Sequence, residues 1–512
     1  MENQAVAQLE CGSDVEKGKV TDAAPWSREP HNDAQSGPQT VKEGPVSSLP
    51  EEVLTLILNT LHLAEDHTDP KARLSVPRLA SQVCSYWRFI ALQNSLWWSC
   101  IYVTPPWRFE QLKMHLERSK ECTLDMTISV RRPYLSEDEG KDTSNPTSPP
   151  ELTIEKFESL GPILFPHFSR CRSLTLDGVF RVAPNFMSFF MESLTKLAMP
   201  HLESFTSDCE FLFIPKEYTS RTPLFTSAPR LHDLRLGGMS AASYAPPLTN
   251  ITSLHLSRVT DNHPVSFSEL AQLLTSCQSL TLLAIYDDLL NNWDAAGTIT
   301  TCTVPKLESL FILGNMLSVS ELLLFLDAPN LWELVIAPVI GGDLTLLLSQ
   351  LQEDREKCIK TSRFPKLTKL TLAPAYCDAF NDALPSASTC FPKVETVIFA
   401  NVYYREFIES FTDKSLILFP HLLDLGLSDV GESDVCAAIR QVVEFRKKYH
   451  ASIRRVLIDT ESARALGCGL DDISIWGSHA KVEVADLWED QRKKAMYTHT
   501  KDLFVGRPSD EF

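Results

Sequence analysis

The sequence predicts an α/β protein, in which a small all-α helical unit near the N-terminus is followed by an irregular solenoid of strand–helix units with a parallel sheet. Three observations carry this expectation. An apolar-x-x-apolar-x-apolar motif recurs along the chain, proline stands two residues before many of its copies, and four of the nine tryptophans crowd into the 21 residues from Trp87 to Trp107, ahead of the array. Tryptophan at that density marks a packed patch.

The chain has 512 residues, with 48 Lys+Arg against 66 Asp+Glu, a formal charge of −18. That length accommodates about three ordinary domains or one long repeat array. At 44% hydrophobic and 22% charged residues it is ordinary globular composition, which excludes collagen, coiled coil and wholesale disorder. An acidic surface repels phosphate, so no nucleic-acid partner is expected, and Arg446-Lys447-Lys448 and Arg492-Lys493-Lys494 are expected to be solvated helix faces. The first forty residues hold no apolar core of a signal peptide. The most apolar stretch, Leu317 to Ile340, is interrupted by Glu321, Asp327, Asn330 and Glu333, so no membrane span is expected. The thirteen cysteines form no C-x-x-C pair and are expected to be buried thiols in a reducing compartment. The sequon Asn250-Ile251-Thr252 is then a chance match.

Residues 1–46, polar and without periodicity, are expected to be disordered. The helical unit covers 47–103. Its first helix is signalled by Ser48 with Glu51 three positions later, by Pro50 in the first turn, and by Leu49, Val53, Ile57 and Leu61 at four-residue intervals, with Leu54 and Leu58 widening the stripe. A polar connection follows, then a second helical pattern through Leu79, Val83, Trp87 and Ile90 or Ala91, then Ser95-Leu96-Trp97-Trp98. Three short helices carry more apolar surface than so small a unit can bury, so part of it is expected to be kept for a partner.

These residues resemble the F-box. Its elements appear in order as Leu49-Pro50-Glu51-Glu52, Val53-Leu54, Ile57-Leu58, Val83-Cys84-Ser85-Tyr86-Trp87-Arg88 and Leu96-Trp97, departing from the family by the polar insertion Leu63 to Val76. The division expected is that Val53, Ile57 and Val83 pack internally while Leu49, Pro50, Leu54, Leu58, Trp87, Leu96 and Trp97 form an adaptor-binding surface. Cys84 is expected to be a small core residue.

The array covers 104–460, with a flexible acidic loop at 134–150. Its motif begins at Leu231, Ile251, Leu280, Leu307, Leu331, Leu367, Val394 and Leu422, in steps of 20 to 36 residues that average about 27, with weaker copies at Cys171, at Leu194 or Leu202, and at Ile453. Such a period is that of leucine-rich repeats. Pro229, Pro305, Pro329, Pro365, Pro392 and Pro420 punctuate helix to strand, and helical spacing appears between strands in Phe267, Leu270, Leu273 and Leu274 and in Val435, Ile439, Val442 and Val443. In strands such as Leu234-Arg235-Leu236 the leucines face inward. The residues between them would line a concave, substrate-binding surface: Asp233, Arg235, His255, Tyr286, Phe311, Val335, Thr371 and Ile398, with Phe311, Val335 and Ile398 as an exposed apolar centre. The asparagine that leucine-rich repeats place eight residues after the lead appears once, as Asn315, with Val179, Val259, Val339, Val402 and Val430 there instead. The chain as a whole is similar to F-box proteins with degenerate leucine-rich repeats, abundant in mushroom-forming fungi. Residues 461–512 are read as a C-terminal cap or tail.

No phosphate loop, dinucleotide fingerprint, HExxH or GxSxG motif occurs. His62, Glu65, Asp66 and His67 are read as solvated loop residues, so no catalytic residue, cofactor or metal site is expected. The resemblance implies a non-enzymatic substrate-recognition subunit of a Skp–cullin–F-box ubiquitin ligase, acting in the cytoplasm or nucleus in ubiquitin-dependent protein degradation. It would bind a Skp-type adaptor, through it a cullin, and an unknown protein substrate. The alternative is an interaction scaffold outside any cullin complex, the helical head merely capping the solenoid.

Overall fold

The strands that follow the leads from Leu231 to Leu422 are introduced by the same corner. In the computed structural model the leading apolar residue donates its amide to the carbonyl three positions earlier, Leu231 to Ala228, Leu307 to Val304, Leu331 to Ala328, Leu367 to Phe364, Val394 to Phe391 and Leu422 to Phe419, at 2.9–3.3 Å. Proline occupies the second position of each of these six turns, where its fixed φ is already correct and its missing N–H is not needed. All eight leading side chains are 0–1% exposed. Asn250 and Asn330 then reach back one unit, donating through Nδ2 to the carbonyls of Pro229 (2.9 Å) and Pro305 (2.6 Å). Amide side chains therefore do satisfy turn carbonyls here, from the position before the lead rather than eight after it.

The structure describes residues 49–64, 75–104, 108–129, 154–180, 192–211, 224–237, 247–257, 265–286, 289, 301–313, 319–339, 344–356, 363–374, 377–400, 410–428, 435–465, 480–485 and 487. The expectations for 1–46, 134–150 and most of 461–512 lie outside them. The chain divides into two compact units, residues 1–54 and 55–512. Of the first, the described part is Leu49, Pro50 and the opening of helix α1 (Glu51–Ala64), where Leu54 donates to the Pro50 carbonyl at 3.1 Å.

In the second unit α1 is followed by α2 (Ser75–Val83), α3 (Ser85–Gln93) and a 3₁₀ turn, Ser95–Trp98. The periodicity that predicts one helix through Leu79 and Ala91 is broken at Cys84, which takes extended φ/ψ and caps α3 by accepting from the Trp87 amide at 3.5 Å. Cys84 is thus a half-buried cap and not a core residue.

Two residues past each lead a strand begins. The sheet runs β1 (Cys100–Val103), β2 (Leu124–Ser129), β3 (Cys171–Phe180), β4 (Ser204–Phe211), β5 (Asp233–Gly237), β6 (Ser253–Ser257), β7 (Leu282–Tyr286), β8 (Ser309–Leu313), β9 (Glu333–Val339), β10 (Lys369–Pro374), β11 (Thr396–Ala400), β12 (Asp424–Ser428), β13 (Arg455–Ile458) and β14 (Lys481–Val484). All fourteen are parallel and lie side by side in chain order. The first strand belongs to this sheet although residues 100–103 fall at the end of the segment expected to be all-α. Connecting helices α4 (Phe109–Arg118), α5 (Ile154–Leu164), α6 (Phe267–Ser276), α7 (Val319–Phe325), α8 (Thr345–Glu356), α9 (Cys377–Cys390) and α10 (Val435–Lys448) pack on one face, joining Leu112, Leu160, Leu270, Leu322, Leu347, Leu384 and Val442 to one core with inward strand residues such as Leu234, Leu310 and Leu425. A short helix, α11 (Thr460–Ala465), follows β13. Val339, one of the valines replacing the asparagine, is 1% exposed in that core. Among the described residues no helix is long and apolar enough to cross a membrane.

One basic residue expected to be solvated is a core strut. Arg446 is 1% exposed, and its guanidinium donates to the carbonyls of Ala451 (3.0 Å), Leu418 (2.6 Å) and Phe419 (2.9 Å), tying the end of α10 to the corner before β12. Burial pushes its pKa down to about 10, so it stays charged at neutral pH. Three carbonyls lose their donor together in Arg446→Ala, at roughly 1–3 kcal/mol each when buried. We expect a loss of about 3 kcal/mol or more in urea unfolding, not restored by Arg446→Lys, whose single ammonium cannot reproduce the fork.

Candidate functional site

Two surfaces stand out, one on the helical head and one on the sheet. In the head, Trp97 and Trp98 are 0% and 3% exposed, and each indole N–H has a partner: Trp97 donates to Asn59 Oδ1 at 2.6 Å, and Trp98 to the Ala91 carbonyl at 2.7 Å. Asn59 Oδ1 also accepts from Asn94 Nδ2 at 3.2 Å. Leu54, Leu58 and His62, at i, i+4 and i+8, share one face of α1 and are all buried.

The expected division of labour is therefore reversed at several positions. Leu54, Leu58 and Trp97, assigned to the adaptor surface, are buried, whereas Val53, Ile57 and Val83, assigned to the interior, are 42%, 43% and 60% exposed. Leu96 is exposed and Pro50 also, while Leu49 and Trp87 are half-buried. Of the thirteen exposed large hydrophobics among the described residues, seven lie between Leu56 and Leu96: Leu56, Ile57, Leu61, Leu79, Val83, Phe89 and Leu96. Leu56, Leu61, Leu79 and Phe89 have no place in the expected division, because a stripe apolar on both flanks does not say which flank faces out.

On the sheet, the side chains opposite the helices form a continuous row in register: Tyr102, Thr127, Thr175, Thr206, Arg235, His255, Ala284, Phe311, Val335, Thr371, Ile398, Gly426, Leu457 and Glu483. Six of the eight expected lining residues fall in this row. Asp233 lies in the adjacent row with Ser204 and Ser253, and Tyr286 is level with Leu313, its place in the main row being taken by Ala284.

The row has two halves of different character. From Tyr102 to Arg235 it is polar and half-buried. From β6 to β12 it closes: His255, Ala284, Phe311, Val335, Thr371 and Ile398 are 0–3% exposed, as is Tyr286 in the neighbouring row, and Leu457 and Glu483 at the far end are half-buried again. The apolar centre read as exposed is therefore interior. Ala284, Tyr286, Phe311, Val335 and Ile398 form a second hydrophobic cluster that also contains Leu487. Gly426 is required in this row, since a Cβ there would sit 2.9 Å from Ile398 Cγ1.

At the junction Arg235 Nε donates to Asp233 Oδ2 at 3.1 Å, and Ser204 Oγ to the same oxygen at 3.2 Å. His255 shares hydrogen bonds with Tyr286 Oη (2.9 Å, through Nδ1) and Ser253 Oγ (3.2 Å, through Nε2), with its ring stacked on Tyr286 at 6.0 Å. Burial, and then the Arg235 charge, push its pKa down to about 3, against a smaller upward pull from Asp233. A neutral imidazole held so far from its working range is a poor general base at neutral pH, so the grouping reads as a structural bridge between polar and apolar halves.

Among the described residues no group of three or more His, Cys, Asp or Glu is placed to hold a metal ion. Buried thiols are held protonated, with Cys277 pushed up to about 12 and Cys171 higher by desolvation. No protein-family model matches the chain, and a search of the curated proteins finds no match.

His255 gives a pH signature. Neutral in the fold and protonated below about 6.5 when unfolded, it contributes stability that is complete above pH 6.5 and is lost as pH falls toward 3, at up to about 1.4 kcal/mol per unit. Between pH 7 and 5 the wild type should lose about 2 kcal/mol more in urea unfolding than His255→Gln does. Equal losses in the two proteins would refute the assignment.

Proposed function

We propose that the chain is a substrate-recognition subunit of a Skp–cullin–F-box type ubiquitin ligase, in which helices α1 to α3 and the turn after them dock a Skp-type adaptor and the sheet array receives a protein substrate. The observation that carries this reading is the concentration of exposed apolar side chains in the head: Leu56, Ile57, Leu61, Leu79, Val83, Phe89 and Leu96 stay in water while Leu58 and Trp97 build the frame behind them. Leaving so many large aliphatic and aromatic groups exposed in about forty residues is costly unless a partner covers them, and anchors of this kind carry roughly 2 kcal/mol or more each at an interface centre. The resemblance of Leu49-Pro50, Val83-Cys84 and Leu96-Trp97 to the F-box names the partner class.

In this reading the protein makes and breaks no covalent bond. It holds a substrate near a conjugating enzyme and so raises effective concentration. The open, hydroxyl-rich part of the second face, Tyr102, Thr127, Thr175, Thr206 and Arg235, is the portion of the array available to a polar substrate segment.

Binding of the full chain to a purified Skp-type adaptor tests this. Ile57→Asp combined with Val83→Asp should weaken capture at least tenfold while leaving the thermal midpoint within a few degrees. Leu58→Ala should instead cost about 2–5 kcal/mol of stability, because it opens a cavity behind the surface. Adaptor capture by the double aspartate variant at wild-type strength would remove the docking assignment and leave the non-ligase scaffold as the better reading.

A further inference from the structure

The open part of the second face is lined by polar groups that the fold itself does not use. Tyr102, Thr127, Thr175 and Thr206 stand side by side on β1 to β4, half-buried, and among the described residues their hydroxyls have no hydrogen-bond partner. In the adjacent row, by contrast, Ser204 and Ser253 are bonded to Asp233 and His255. Arg235 continues the main row on β5. Its Nε is taken by Asp233 at 3.1 Å, its side chain is 22% exposed, and its two terminal nitrogens have no partner among the described residues. One strand further the row is shut, with His255 1% exposed. The guanidinium therefore stands at the blind end of a polar track that runs from β1 to β5. At about 4.8 Å between strands the track is about 19 Å long. That is room for about six extended residues at about 3.3 Å each.

A guanidinium held through Nε keeps its two terminal amino groups side by side, and the ligand that matches them is a planar group with two oxygens. Charge narrows the choice. Asp233 already offsets Arg235, and the other members of the open row are uncharged hydroxyls. A phosphate, with nearly two charges, would meet one half-neutralised cation and a carboxylate beside it, whereas a carboxylate brings a single charge. Position narrows the source. An internal Asp or Glu at this point needs its chain to climb off the sheet before His255, whereas a chain end needs no room beyond itself. We infer that the track takes the C-terminal end of an extended peptide, with its free α-carboxylate on the terminal nitrogens of Arg235 and its backbone along the hydroxyls of Thr206, Thr175, Thr127 and Tyr102. A hydroxyl both donates and accepts, so these residues serve peptide N–H and C=O groups whatever side chains the ligand carries. The inference rests on the reading of the sheet as the substrate-binding surface, and it narrows the substrate to proteins with an accessible C-terminus.

The experiment uses the full chain, immobilised and offered random heptapeptides of four kinds in equal amounts. One kind has a free C-terminus, one is amidated, one is amidated with an internal Glu, and one is amidated with an internal phosphoserine. Bound peptides are identified by mass spectrometry, and the best are remeasured singly by fluorescence polarisation. The free-acid kind should be enriched at least tenfold over each of the others, and amidating a selected peptide should weaken it at least tenfold. Arg235→Gln should bring the two forms within twofold of each other, and so should Arg235→Lys, which keeps a charge but not the fork. Thr175→Val combined with Thr206→Val should weaken both forms several-fold and leave their ratio unchanged. Equal enrichment of the four kinds, preference for internal Glu or phosphoserine, or a free-acid preference that survives in Arg235→Gln would overturn the inference. Should Arg235→Gln fail to fold, Arg235→Lys decides. Adaptor capture by the same wild-type protein separates the two proposals. Capture without free-acid preference removes the carboxylate track and keeps the docking head, and free-acid preference without capture does the reverse.

Discussion

The array depends on a single carbonyl per unit. In the residue just before each strand, from Glu203 through His232, Thr252, Thr281, Glu308, Trp332, Thr368 and Glu395 to Leu423, the backbone oxygen accepts two amides from the next unit, as His232 and Asp233 both donate to Glu203. A carbonyl has two lone pairs and uses both here. The leading apolar residue, driven into the core one position earlier, brings this oxygen to the same depth in every unit, and the turn fixes its direction. Burial, turn and ladder thus act at one place, and strand register follows from it.

That is why the array could be read from the residues. Leads at Leu231, Leu331 or Val394 announce themselves by spacing, prolines mark the corners by a fixed backbone angle, and strands start two residues later. Both are local properties. What could not be read is what lies against a surface. The first helix is apolar on both flanks, and the side that turns inward is chosen by Asn59, through two hydrogen bonds to residues 35 and 38 positions away. Likewise, alternation shows that Phe311, Val335 and Ile398 leave the main core, but whether they meet water or protein is settled by distant chain such as Leu487. Arg446 looked solvated in its basic cluster because carbonyls that attract a guanidinium leave no mark on sequence.

The two candidate surfaces differ in the physics of recognition. The head offers exposed aliphatic and aromatic groups on a frame stiffened by two buried indoles, which suits a permanent or tight partner. The open half of the sheet offers hydroxyls and a paired Arg235, whose hydrogen bonds with water must be exchanged for bonds with a ligand, which favours selectivity over raw affinity.

The variable distance between corners has its own consequence. Successive leads lie as few as 20 and as many as 36 residues apart, yet neighbouring strands stay aligned, because each corner closes on its own turn and on the strand beside it. Connecting chain can lengthen or shorten without propagating an error along the ladder. Such a frame tolerates splicing at its margins, so lineages can diverge in what they display while the scaffold that displays it stays the same.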